Sequence, residues 1–252
     1  MTMTKVKVAI LLAGCGAKDG AEITEAVSLM IAFSQQNYEV KIFAPNRPLY
    51  HVVNNLNHAV CPDESRSILI EAARIARGDI QPLDQLDPSQ FDVLAFAGGF
   101  GVAKNFCDFA FKGKEAKLQN DIKDIMLKFI QSKKIIAALC IAPILLALAA
   151  KELKLEQAQI TLGSKENEAS QIAQSWGINT IDKKVREACV DPIHKFVTAP
   201  AYMDDQATPA DIFASAQALV QGIRSIIPTE KTTSTTPAPE GAGLRREIFE
   251  SD

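Results

Sequence analysis

Residues 6–45 commit the chain to a sheet of parallel strands. Residues 6–12 are an apolar run of strand length, ending in a Gly-rich turn over 13–20 that carries Gly14, Gly16 and Gly20. A helix is predicted from about Ala21 to Gln36, with Ile23, Val27, Met30 and Ile31 at helical spacing on its apolar face. Beyond Asn37, residues 38–45 alternate apolar and polar side chains as a second strand does. Strand, helix and strand in that order form a crossover unit, and such units build parallel sheets with helices on their faces.

The alternation continues along the chain. Residues 64–77 read as an amphipathic helix with Ile68, Leu69, Ala72 and Ile75 inward, closed by Gly78, and an apolar strand from Phe91 ends in Gly98-Gly99. A helix over 121–132 feeds a strand leading to Cys140, and Pro143 opens another helix. Residues 159–163 read as a strand, 166–176 as a helix, 179–181 and 195–199 as short strands, and 208–226 as a closing helix. The fold class is therefore α/β with a mostly parallel central sheet. At 252 residues with 47% apolar content, one domain over 1–227 is expected. The Thr- and Pro-rich stretch that follows gives 228–252 the composition of a disordered tail.

Charge and cysteine usage exclude several functions. The net charge is 27 − 30 = −3, and no Lys/Arg run is interleaved with aromatics, so neither nucleic acid nor an anionic membrane is the expected partner. Arg66, Arg74 and Arg77 read as a solvated helix face. Five cysteines with no C-x-x-C pair, and three scattered histidines, point away from a disulfide framework and from metal; reduced thiols in a cytoplasmic compartment are expected. No apolar run reaches the ~20 residues that span a bilayer. His51 and His58 fall in irregular sequence, and His194, in a turn-like segment, reads as exposed. The glycine loop is not a dinucleotide fingerprint, because Asp19 stands where the third glycine belongs and no acidic residue ends the second strand.

What remains is a constellation around Cys140. An apolar strand runs straight into this cysteine and a helix begins just beyond it, as in a nucleophile elbow at the carboxyl end of a central strand. Free N–H groups and the positive end of the helix favour thiolate over thiol and can hold an oxyanion. From position alone, a buried core cysteine is an equal reading. The Gly98-Gly99 turn offers a second oxyanion arm, or is only a tight turn. Glu22 and Glu25 lie one turn apart at the start of the first helix. Glu22 has a capping-box spacing from Asp19, whereas no cap explains Glu25.

Together, Cys140 in Cys-Ile-Ala-Pro, the stretch from Gly98 to Asn105 and that from Asp19 to Val27 resemble the ElbB glyoxalases. These are also called enhancing lycopene biosynthesis proteins, within the class I glutamine-amidotransferase-like (ThiJ/PfpI) superfamily. The resemblance spans about residues 5–226. It implies a flavodoxin-like three-layer sandwich and a cofactor-free glyoxalase or deglycase acting on glyoxal or methylglyoxal. It places the nucleophile on Cys140 and a cysteine-contacting carboxylate on Glu25, with Glu22 nearby. Gly98, Gly99, Ile141 and Asn105 then surround the oxyanion and substrate, with no metal or cofactor. The expected partners are a small reactive aldehyde and a second copy of the chain. Because Ile141 follows the nucleophile where a histidine base would be sought, glutamine hydrolysis loses support. An oxidation sensor built on Cys140, or a non-catalytic accessory of isoprenoid biosynthesis, is the alternative.

Overall fold

The computed structural model describes residues 5–228; the expected tail beyond Pro228 lies outside the described residues. In chain order, β1 (Lys7–Leu11), α1 (Ile23–Gln35) and β2 (Glu39–Ala44) form the opening crossover. A small hairpin of β3 (Val53–Asn54) and β4 (Ala59–Val60) is followed by α2 (Ile68–Ala76), β5 (Gln81–Pro82) and β6 (Val93–Phe96). A π-helical turn at Val102–Phe106 leads to α3 (Phe109–Lys112), α4 (Asn120–Gln131), β7 (Ile135–Leu139) and α5 (Pro143–Leu153). The chain closes with β8 (Gln159–Ile160), α6 (Glu168–Ser175), β9 (Asn179–Thr180), β10 (Cys189–Asp191), β11 (Phe196–Ala199) and α7 (Pro209–Ile226).

Seven strands form the central sheet in the order β10-β11-β7-β6-β1-β2-β5. Every neighbouring pair is parallel except β10 with β11. Side chains of β1 alternate between two cores, Ala9 and Leu11 in one, Val8 and Ile10 in the other, as the two-residue period of a strand requires. The first core is sealed by Ile122, Met126 and Phe129 of α4 and by buried residues of α5; the second by Leu29 and Phe33 of α1, Ile68 of α2 and Leu219 of α7. This is the expected flavodoxin-like three-layer sandwich. Among the described residues, no helix is long and apolar enough to cross a membrane.

Three readings need correction. Helix α1 buries Glu25, Ala26, Leu29, Ala32 and Phe33, while Ile23, Val27 and Ile31 on the opposite side are 47%, 36% and 44% exposed. The buried face of α1 combines Ala26 and Ala32 with Leu29 and Phe33, packed in the core that Leu219 of α7 also seals. Helix α2 begins at Ile68 because the Ser67 side chain caps it, accepting from the Ile70 N–H. The strand expected over 159–163 pairs for only two residues, with β9 in a separate parallel ladder.

Candidate active site

Four adjacent parallel strands deliver the site. The carboxyl ends of β11, β7, β6 and β1 lie side by side, and the segments leaving them carry Tyr202, Cys140, Gly98 and Glu25. Neighbouring strand ends of an open α/β sheet are where its crevice forms. Cys140 itself has φ +59°, a left-handed conformation that a non-glycine residue rarely holds. Its N–H is anchored to the Ala199 carbonyl at 3.0 Å and α5 starts at Pro143, so strand and helix together hold the turn.

Beneath the sulfur lies Glu25, fully buried. Its Oε2 accepts from the Gly98 N–H at 2.8 Å and its Oε1 from the Tyr202 N–H at 3.2 Å, and the carboxyl also hydrogen-bonds the Cys140 thiol. Burial, reinforced by the neighbouring Glu22 charge, pushes the Glu25 carboxyl up to about 8. Burial likewise holds the Cys140 thiol above its ordinary range, with Glu25 adding to the effect, and the N–H groups of Gly99 and Ile141 only partly oppose it. The thiolate expected from the helix start is therefore not the resting form. Burial, with the carboxyl against the sulfur adding to it, outweighs the N–H groups at the helix start, and at neutral pH Cys140 and Glu25 rest as a neutral, hydrogen-bonded pair.

Glu22 takes a different position. It is the N-cap of α1, its Oε2 accepting from the Glu25 N–H at 2.7 Å, and it lines the cavity above Cys140. Asp19 does not form the expected capping box. Its carboxylate accepts from the Val53 N–H and the Asn55 side chain, tying the glycine loop to the β3–β4 hairpin. The cavity, about 450 Å³, is walled mainly by apolar surface from Phe100, Ile141, Tyr202 and Met203, with Lys18 and Glu22 as its charged residues.

The remaining expected residues divide. Gly99, at φ +97°, and Ile141 turn their N–H groups to the sulfur and line the cavity. Gly98 spends its N–H on Glu25 and acts by lacking a side chain: a Cβ there would stand 2.5 Å from both the Cys140 Cβ and the Glu25 Oε2. Asn105 is not brought to the cavity. Its amide donates to the Ala13 and Asp19 carbonyls and its oxygen accepts from the Tyr50 N–H, so the π-helical turn presents it to backbone rather than to a ligand. None of the three histidines lines the cavity. His51 packs on the Tyr50 and Phe111 rings, and His58 is exposed. His194, expected to be exposed, has a side chain only 12% accessible, because its Nδ1 lies 2.7 Å from Asp191, which also caps that turn. Among the described residues, no group of three or more His, Cys, Asp or Glu side chains is placed to hold a metal ion.

Residues 6–191 match the DJ-1/PfpI family. The chain belongs to that family. The rat "ES1 protein homolog, mitochondrial" is 39% identical over 207 residues, 79% of this chain and 76% of the relative. The human "glutamine amidotransferase-like class 1 domain-containing protein 3, mitochondrial" is 38% identical over 80% of this chain and 76% of its own length. Among solved structures, an isoprenoid biosynthesis protein with an amidotransferase-like domain from Ehrlichia chaffeensis superposes with TM-score 0.81 at 30% identity, over 88% of this chain and 100% of that one. Glyoxalase III from Candida albicans, at TM-score 0.56 and 16% identity over 88% and 97% of the two chains, shares the fold. Lining this cavity in the DJ-1/PfpI chain are also Tyr202, Phe100, Lys18 and Met203, to which the sequence reading gave no role in the site. Tyr202 and Met203 reach the cavity because the segment after β11 leaves the strand next to β7, an adjacency that only the folded sheet supplies.

Proposed function

We propose that the chain is an ElbB-like, cofactor-independent glyoxalase, with deglycase activity as a related outcome. The observation that carries this is the Cys140–Glu25 pair beneath an apolar cavity whose accessible carboxylate is Glu22. In the fraction of molecules with Glu25 ionised, its carboxylate takes the thiol proton as sulfur bonds to the aldehyde carbon, and that proton passes to the carbonyl oxygen. The hemithioacetal oxygen sits against the Gly99 and Ile141 N–H groups. Glu22 then removes the proton from this carbon. The electron pair left behind forms a carbon–carbon double bond while the π pair of the adjacent carbonyl moves onto its oxygen. The O–H proton on the sulfur-bearing carbon passes to that oxygen, and the sulfur-bearing carbon becomes C=O. The double-bond pair takes the proton back from Glu22 at the adjacent carbon, giving a 2-hydroxy thioester. Water adds to the thioester, the carbon–sulfur bond breaks, and the 2-hydroxy acid leaves with the Cys140 thiol restored. One carbon is oxidised and its neighbour reduced, so no outside oxidant is needed.

Two alternatives have less support. A redox sensor needs an accessible thiolate, whereas Cys140 is 8% exposed and paired with a buried carboxyl. An accessory role in isoprenoid biosynthesis is favoured by the description of the Ehrlichia relative. The compartment proposed is cytoplasmic, on the strength of five free thiols, although the rat and human relatives carry "mitochondrial" in their names. The deciding experiment is turnover of glyoxal by reduced protein dialysed against chelator. Formation of glycolate, lost in Cys140→Ser, supports the enzyme; its absence at high protein concentration leaves the accessory reading.

A further inference from the structure

A second cavity, about 330 Å³, adjoins the first and shares Phe100 and Ile141 with it as walls. Its far side is aromatic and aliphatic, with Phe109, Phe111 and Ile172. These rings are held from behind. Phe111 packs on Tyr50 with ring centroids 4.3 Å apart, and Trp176 sits edge-on to Phe109 at 6.3 Å. Phe100, half exposed, divides the cavities, with the Lys104 ammonium 5.3 Å from its ring centre. Among the described residues lining the second cavity, Glu168 is the single charged one, and it is an anion.

Glyoxal and methylglyoxal are small against two adjoining cavities of about 450 and 330 Å³. A phosphate or carboxylate on the substrate would meet Glu168 with no cation lining the same cavity to balance it. An uncharged ring, in contrast, finds ring faces and edges at the offset geometries aromatic groups favour. Resting on the glyoxalase reading of Cys140, we propose that the preferred substrate is a 2-oxoaldehyde carrying an uncharged aromatic substituent. Its dicarbonyl end meets Cys140 and its ring lies in the second cavity, between Phe100 and Phe111. The bonds made and broken are those already given, with the ring untouched.

The test compares kcat/KM for glyoxal, methylglyoxal and phenylglyoxal on the full chain. Phenylglyoxal should exceed methylglyoxal by about ten- to a hundredfold, the usual worth of burying an aromatic ring. Ala110, exposed at the rim of the second cavity, allows it to be filled without disturbing the core. Ala110→Trp should lower the phenylglyoxal-to-glyoxal ratio at least tenfold, and Phe111→Ala, which removes a wall instead, should lower it too. A ratio near one in the wild type, or one that neither variant changes, overturns the proposal. If no dicarbonyl is turned over, the glyoxalase reading falls and protection of Cys140 from iodoacetamide decides the cavity alone. Phenylglyoxal protecting at tenfold lower concentration than glyoxal, an advantage lost in Ala110→Trp, upholds it; equal protection sinks it.

Discussion

Glu25 offers both carboxyl oxygens to backbone donors, a fact with consequences for any substitute. Glutamine has one acceptor oxygen for the two N–H groups of Gly98 and Tyr202, so Glu25→Gln leaves a buried donor facing an NH₂ group, at a cost of about 1–3 kcal/mol. The variant should lose turnover by roughly 10²-fold or more, the worth of a general base, and also melt lower. With a carboxyl held near 8, wild-type kcat/KM should climb about tenfold per pH unit below that value, and Glu25→Gln should remove the climb. Glu22→Gln keeps an oxygen to cap the Glu25 N–H, so its melting temperature should barely move while turnover falls by about 10²-fold and the pH climb persists. From the sequence alone Glu22 had a capping role, which it has as the N-cap of α1, and Glu25 carried the proton; in the proposed reaction both carboxylates move protons. Full activity in Glu22→Gln would remove it from the reaction. Kinetics from pH 6 to 9 and melting curves on both variants supply the comparison.

At the scale of elements, α1 is the instructive case. Its sequence carries two apolar sets with the same period, and the packed one is built largely from Ala26, Ala32, Leu29 and Phe33 around Glu25. The exposed stripe of Ile23, Val27 and Ile31 is where we propose that a second copy of the chain docks, since adjoining exposed apolar residues mark contact surfaces. Val27→Lys with Ile31→Glu should convert a sedimenting dimer into monomer. Because both side chains already face outward, the monomer's own stability should stay within about 0.5 kcal/mol per site. A wild-type monomer, or a dimer that survives the double change, rules this face out.

For the whole molecule, buried acids set the pH dependence of stability. The Glu25 carboxyl rises from an ordinary 4.5 to about 8 in the fold, so between those values the native chain keeps a proton that the unfolded chain has released. Stability is then fully present below about pH 4.5 and falls as pH rises, by up to about 1.4 kcal/mol per pH unit. Burial also raises the thiols of Cys107, to about 12, and Cys189, to about 11, which extends the loss above pH 9. On the acid side, Asp211 is pulled down to about 2 by hydrogen bonds from Thr208 and by Arg186, so its contribution is lost only as pH falls towards that value. Urea unfolding at pH 5, 7 and 9 should show greatest stability at pH 5, with a flatter pH 5–8 segment in Glu25→Gln. A maximum at pH 8 or above would contradict the burial of a protonated Glu25.

Local periodicity determines the alternation of strands and helices, and the strand–Cys140–Pro143 junction marks the elbow in the sequence itself. Those signals are short-range: runs of apolar side chains, turn residues and a proline at a helix start need no knowledge of distant segments. The face of α1 that is buried, the neutral Cys140–Glu25 pair and the donation from Tyr202 were not legible in the same way. Each depends on which strands lie side by side, and β11 joins β7 across about sixty residues of chain. Asn105 shows the limit from the other side: its place in a motif stretch suggested a ligand contact, while packing spent all its hydrogen bonds on the loops after β1 and β2. A carboxyl's pKa depends on how much water is removed around it and on the charges folded against it, and both follow from chain segments brought together only by the tertiary fold.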